Sequence, residues 1–172
     1  MTEYLISDMH FDHHNIIEYC GRPFANVNEM NLRMVENWNK VVKQDDIVYF
    51  LGDFSYGRKA HNPSYWLRQL HGSIVFIMGS HDYEMGLHGR QHLELQRGGI
   101  DFYLCHNPAD VPADWKGWSI TGHVHNRHPF YQPAYRRFNV SADAVGFTPV
   151  PFTDLLAKIA APVAGQSLLI LK

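Results

Sequence analysis

Three apolar runs mark the first half of the chain, and each stops at a polar cluster. Residues 4–6 run into Ser7-Asp8, residues 47–51 into Gly52-Asp53, and residues 74–78 into Gly79-Ser80-His81-Asp82. Short runs that are apolar throughout predict strands buried on both faces, as in a parallel sheet. Between the first two, Val27, Met30, Met34, Val35, Trp38, Val41 and Val42 recur at spacings of three and four, which predicts a helix over 27–43. Asn26 followed by Glu29 forms a capping-box-like start for it. Asn62-Pro63 supplies an N-cap and an N1 proline for a second helix, reaching residue 70.

The pattern then changes. Residues 93–96, 102–105, 118–121, 137–140 and 168–171 predict short strands, and 152–160 a helix. An α/β protein is expected, with a second sheet packed on the first and long loops over 107–115 and 127–136. Ligands of parallel sheets collect at the C-terminal strand ends, where the polar clusters fall. Trp66, Trp115 and Trp118 are expected in the core.

Composition narrows the function. A chain of 172 residues fits a single domain over 1–172, and 45% hydrophobic with 19% charged residues excludes disorder as its main theme. Fifteen basic and 17 acidic side chains, net charge -2, leave no broad positive field for stable nucleic-acid binding. Two cysteines, Cys20 and Cys105, are too few for a disulfide framework and form no Cys-x-x-Cys pair. With no apolar run near the ~20 residues of a membrane helix and no leader pattern after Met1, the expected location is cytoplasmic, with no membrane partner. The informative excess is histidine, of which there are 12. Several stand beside Asp or Gly at predicted strand ends, and imidazole is the commonest metal ligand among side chains.

Asp8-Met9-His10, Gly52-Asp53, Gly79-Ser80-His81-Asp82, His106 and Gly122-His123-Val124-His125 follow one another in that order. The ordered set resembles the signature of the calcineurin-like metallophosphoesterase family, in particular its small single-domain bacterial and phage branch. The resemblance spans about residues 4–125. It implies a four-layer αββα sandwich of two mixed sheets flanked by helices. It further implies that Asp8, His10, Asp53 and His125 hold one metal ion while Asp53, Ser80, His106 and His123 hold another. Two divalent transition-metal ions are thereby expected, manganese first, with iron, zinc, cobalt or nickel as substitutes. The implied reaction is hydrolysis of a small phosphomonoester or phosphodiester, a nucleotide among the candidates, by in-line attack of a hydroxide bridging the two ions. His81 stands at the family's catalytic histidine position, with Asp82 expected to orient or charge it.

The chain departs from the family at Ser80, where the pattern has Asn. A hydroxyl is a shorter and weaker ligand than an amide carbonyl, so a weakened second metal and weakened activity are expected. Arg22, His14 and Asn15, with His13, follow the first motif and are expected at the substrate, as is Arg127 after the last. Two other functions share these motifs. A metal-dependent nuclease lacks support from any basic stripe, and a catalytically silent binding or scaffold member finds support only in Ser80.

Overall fold

The computed structural model of the protein describes residues 1–161, so the strand expected over 168–171 lies outside the described residues. The elements are β1 (Glu3–Ile6), α1 (Ile16–Cys20), α2 (Val27–Val41), β2 (Ile47–Phe50), α3 (Pro63–Leu67), β3 (Ser73–Phe76), β4 (His92–Arg97), β5 (Ile100–Cys105), β6 (Trp118–Thr121), β7 (Tyr131–Gln132), β8 (Arg137–Asn139), β9 (Val150–Pro151) and α4 (Phe152–Ala160). One sheet has the order β3-β2-β1-β9, with β1, β2 and β3 parallel and β9 antiparallel to β1. The other has the order β4-β5-β6-β8-β7, parallel from β5 through β8 and antiparallel at both edges. The fold is thus an α/β sandwich of two mixed sheets flanked by helices.

The register explains why the first three strands are apolar throughout. Leu5 pairs with Tyr49 and Tyr49 with Val75, while Ile6 pairs with Phe50 and Phe50 with Phe76. Successive side chains point to opposite faces, so the two rows enter different cores. Ile6, Val48 and Phe50 pack against Met30, Met34 and Trp38 of α2 and against Trp66. Leu5, Tyr49 and Leu51 pack against Phe102, Leu104, Ile120 and Phe138 of the second sheet, with Phe152 and Leu155 of α4 closing this layer. Full burial of each such side chain is worth about 1.5–3 kcal/mol, so both faces of the first sheet stabilise the fold. On the outer face of the second sheet, Trp115 packs on Tyr103 at 5.4 Å and donates from Nε1 to the Trp118 carbonyl.

Helix α2 starts as expected, with Asn26 Oδ1 accepting from the Glu29 amide at 3.0 Å. The Glu29 carboxylate accepts from the Ala25 amide rather than from that of Asn26, one residue outside the box. Helix α3 stops at Leu67, because the next bonds, Gln69 N to Trp66 O and Leu70 N to Leu67 O, tighten into three-residue turns. Strand β3 stops at Phe76, because Ile77 and Met78 pair with Arg90 instead of with β2 alone. The segment 127–136, expected as a loop, holds β7 and a 3-10 turn over Pro133–Tyr135, and α1 and β9 were not anticipated at all.

Both sheets direct parallel strands toward one rim. Ser7, past the end of β1, donates its amide to the Val140 carbonyl and accepts from the Ala142 amide, so the chain after β8 runs alongside the end of β1. This contact brings the ends of β1, β2 and β3 together with those of β5, β6 and β8.

Candidate metal centre

The strand ends deliver two groups of ligand atoms, each mutually within 4.8 Å: Asp8, His10 and His125, and Asp53, His106 and His123. Asp53 lies between them, its Oδ2 3.6 Å from His10 Nε2 and 3.4 Å from His106 Nε2. In the first group Asp8 Oδ1 is 4.0 Å from His10 Nε2 and 3.8 Å from His125 Nε2. Asp8 Oδ1 and His10 Nε2 are buried and have no hydrogen-bond partner. Stranded buried polar atoms are costly unless something else pairs with them, and a divalent cation fits between a carboxylate oxygen and imidazole nitrogens. The residues present therefore fit a metal.

The backbone at these positions is unusual. Asp8, His10, Asp53, His123 and His125 all have positive φ, between 48° and 67°. Non-glycine residues rarely adopt this region, and Asp, Asn and His tolerate it best. Each costs of the order of 1–3 kcal/mol and persists only where the surroundings impose it. The surroundings here are neighbouring backbones: Asp8 N donates to Gly52 O and His10 N to Asp53 O. Close approach requires glycine at Gly52, where a Cβ would come within 2.5 Å of Gly79 Cα and 2.7 Å of His106 Nδ1. At Gly122 a Cβ would collide with Ser7 Oγ and Asp8 Oδ2.

A further layer fixes the ligands. His106 Nδ1 is 2.7 Å from the Leu51 carbonyl, which makes it a donor nitrogen and directs Nε2 toward Asp53. His125 Nδ1 is 2.7 Å from Asp143 Oδ2, which likewise aims its Nε2 at Asp8. Asp53 Oδ1 accepts the His81 amide at 2.9 Å, and Asp8 Oδ2 accepts the His123 amide at 2.9 Å and the Ser7 hydroxyl at 2.5 Å. Asp143 was not foreseen. It lies 18 residues past His125 in no recognisable motif, and only the folded chain brings it under the imidazole.

Three expected roles differ in the structure. Arg22, expected at the substrate, is 4% exposed and fully engaged: Nε and Nη2 donate to both oxygens of Asp143, Nη1 to Met9 O and Met30 Sδ, and Nη2 also to Asp8 O. A guanidinium has five N–H donors, so none is left for a ligand. Asp82, expected beside the His81 imidazole, is wholly buried and accepts from the amides of Gly79, Asp53 and Phe54, tying the end of β3 to that of β2. His14 is exposed and lies outside the central cleft, on the adjoining hollow that Arg58 and Lys59 also line.

That cleft, about 500 Å³, opens over both ligand groups. Ser80, His81, His13, Asn15 and Arg127 line it, together with Tyr56 and Tyr19, which the sequence did not single out. Ser80 is exposed at the rim, and the His81 ring packs on Tyr56 with centroids 4.0 Å apart.

Titration reflects this crowding. Burial pushes the His10 imidazole well below its usual range, against the pull of Asp53. Burial also tends to lower His106 and His125, but bonding to Asp53 raises His106 to about 9 and bonding to Asp143 raises His125 to about 10. Burial raises Asp53, yet His106 and His10 outweigh it and hold the carboxyl well below the carboxylate range. Burial pushes Asp82 up, opposed by its three amide donors. Without metal the site is a set of alternating charges.

No family model matches the chain. The uncharacterized protein MJ1445 of Methanocaldococcus jannaschii is 44% identical over 162 residues, covering 91% of this chain and 89% of that one. AQ665 of Aquifex aeolicus, a protein of unknown function, has a crystal structure that matches with a TM-score of 0.71 at 24% identity, over 92% of this chain and 98% of that one. This likeness shows a common fold. The structure of the phosphoesterase Yfce from E. coli matches at a TM-score of 0.46 and 18% identity, over 88% and 82% of the two chains. Among the described residues no helix is long and apolar enough to cross a membrane.

Proposed function

We propose that this chain, which belongs to one family with MJ1445, is a calcineurin-like metallophosphoesterase that hydrolyses a small phosphate monoester or diester using two divalent metal ions. The observation that carries the reading is the pair of unpartnered buried atoms, Asp8 Oδ1 and His10 Nε2, beneath a cleft that is also lined by Asp53 and His123 of the second ligand group. Asp8, His10, Asp53 and His125 would hold one ion, and Asp53, His106, His123 and Ser80 the other. Bound there, the ions supply a hydroxide nucleophile at neutral pH and charge to polarise the phosphoryl oxygens. Manganese suits the mixed nitrogen and oxygen donors, and we take it as the working metal.

The chain's own residues do the rest. Asp53 is held with one oxygen on the His81 amide and the other free between the two groups. Asp143 and the Leu51 carbonyl fix the histidine tautomers that present Nε2 to the site. His81, braced by Tyr56 at the cleft wall, delivers a proton to the departing oxygen. Arg127, exposed on the opposite side with part of its guanidinium unbonded, contacts the anionic ester. The activity belongs to a single domain over 1–172 that works in the cytoplasm.

Hydrolysis of 4-nitrophenyl phosphate and bis(4-nitrophenyl) phosphate by chelator-treated and manganese-reloaded protein tests the reading. Metal-dependent cleavage of at least one ester is expected, and His81→Ala should lower turnover of an alkyl phosphate, with its poor leaving group, far more than that of these activated aryl esters. Tight metal binding without cleavage of either ester would favour the silent binding member instead.

A further inference from the structure

The central cleft does not end at His81. Past Tyr56 it continues into a lobe of about 390 Å³, and the two share His13, Asn15 and Tyr56 as a common wall. The far side of the lobe is the turn 57–60, closed by a bond from the Ala60 amide to the Gly57 carbonyl, which places Arg58 and Lys59 at its two central positions. The turn is fastened at both ends to the segment carrying the first metal motif: Tyr56 N donates to Phe11 O, and His61 N to Asp12 Oδ2.

The exposed charge in this lobe is positive. Arg58 and Lys59 are exposed, and the arginine ion pairs among the described residues belong to Arg22, Arg33 and Arg97, so neither side chain of the turn is neutralised. The lobe's one carboxylate, Asp12, is spent on internal bonds, accepting from Asn31 Nδ2 at 2.8 Å, Trp66 Nε1 at 2.8 Å and the His61 amide at 2.9 Å. Two free cations facing a polar lobe form a site for an anion, and a guanidinium beside an ammonium matches a phosphate group best.

We propose that the substrate is a phosphate ester whose leaving group carries a second phosphate, held by Arg58 and Lys59 while the first is cleaved. The inference rests on the phosphoesterase reading above, which puts His81 on the leaving-group side. Tyr56 links the two places, packing against His81 at a tilt and lining the lobe, so a leaving group that receives its proton from His81 extends toward the turn. In the reaction the oxygen of water joins phosphorus, the bond from phosphorus to the leaving oxygen breaks, and that oxygen takes up a proton. Inorganic phosphate departs with an alcohol that keeps its own phosphate.

The test uses manganese-loaded full-length protein and alkanediol bisphosphates of about two to six carbons, compared with alkyl monophosphates of equal length. Both hydrolysis, read as released phosphate, and direct binding, read by calorimetry, are measured. A bisphosphate of the right length should be preferred by roughly tenfold, mainly through KM, as expected for charge-assisted bonds partly screened by solvent. In Arg58→Ala with Lys59→Ala the preference should fall below about threefold, while 4-nitrophenyl phosphate turnover stays unchanged. Removing the remote pair, Lys116→Ala with Arg136→Ala, should leave the preference intact. Equal treatment of the two series by the wild-type protein, or a preference that survives loss of both turn cations, would overturn the proposal. Should no ester be cleaved at all, the phosphoesterase reading fails. The binding arm then judges the second anion site by itself.

Discussion

His125 and Asp143 form a partly buried pair in which imidazole Nδ1 meets carboxylate Oδ2 at 2.7 Å, while the same carboxylate is gripped on its other side by Arg22. The chain Arg22–Asp143–His125–Asp8 therefore fixes the orientation of one ligand group before any ion arrives. Carboxylates behind metal-binding imidazoles typically contribute 10–100-fold to affinity. Asp143→Asn should weaken binding of the ion held by Asp8, His10 and His125 by a factor in that range, measured by competition with a fluorescent chelator. Unchanged affinity would mean that the strained backbone at His125 alone sets the ring.

Arg22 is predicted to matter for stability rather than for KM. Truncation to Ala takes the guanidinium from Asp143 and leaves the His125 imidazole as its remaining charged partner, so the loss should fall at or below the lower end of the about 3–5 kcal/mol typical of a broken buried ion pair. Urea unfolding of the metal-free protein should report it. The double variant with Asp143→Ala should lose clearly less than the sum of the two single changes, because the stranded carboxylate is gone as well.

Metal uptake should release protons. His106 and His125, with pKa values raised to about 9 and about 10, carry protons at pH 7 in the metal-free protein, and an ion must displace them. Affinity should climb as pH rises from 7 toward 9, and calorimetry in buffers of different ionisation enthalpy should find close to two protons released per fully loaded site. The metal-free fold has the opposite dependence. Groups raised above their unfolded value near 6.5 stabilise it fully below that pH, and this stability is lost as pH passes through about 9 and 10. A chelated protein that grew more stable between pH 7 and 10 would contradict the assignment.

Ser80→Asn tests the departure from the family pattern. Ser80 is exposed at the cleft rim, so a longer side chain has room to turn toward His106 and His123. An amide carbonyl should tighten the second ion and raise kcat/KM by about 10- to 1000-fold if one contact to the transition state is restored. A manganese titration followed through phosphodiester hydrolysis separates the two effects. If neither metal dependence nor rate changes, the serine already suffices.

The ligands were legible because each stands where an apolar run ends, and the register of β1, β2 and β3 turns three such ends into one rim. The layer behind them was not. Arg22 reads as a loop cation next to a metal motif, and nothing local tells that its partner is Asp143, 121 residues away. Asp82 reads as a companion of His81 because they are adjacent, whereas the tight turn sends its carboxylate back to the amides of Asp53 and Phe54. Strands of two residues, such as β7 and β9, have no period to detect, and their pairing is decided by the strand beside them.

Asp82 draws one further line through the protein's history. Its carboxylate joins the two strand ends that present Asp53 and His81, and so serves the architecture whether or not a bond is ever cleaved there. A descendant that abandoned turnover for a purely binding role would be free to exchange His81, whose ring faces the cleft, yet obliged to keep Asp82. On the proposed reading, then, the two neighbours answer to different demands, the histidine to the reaction and the aspartate to the frame that holds it.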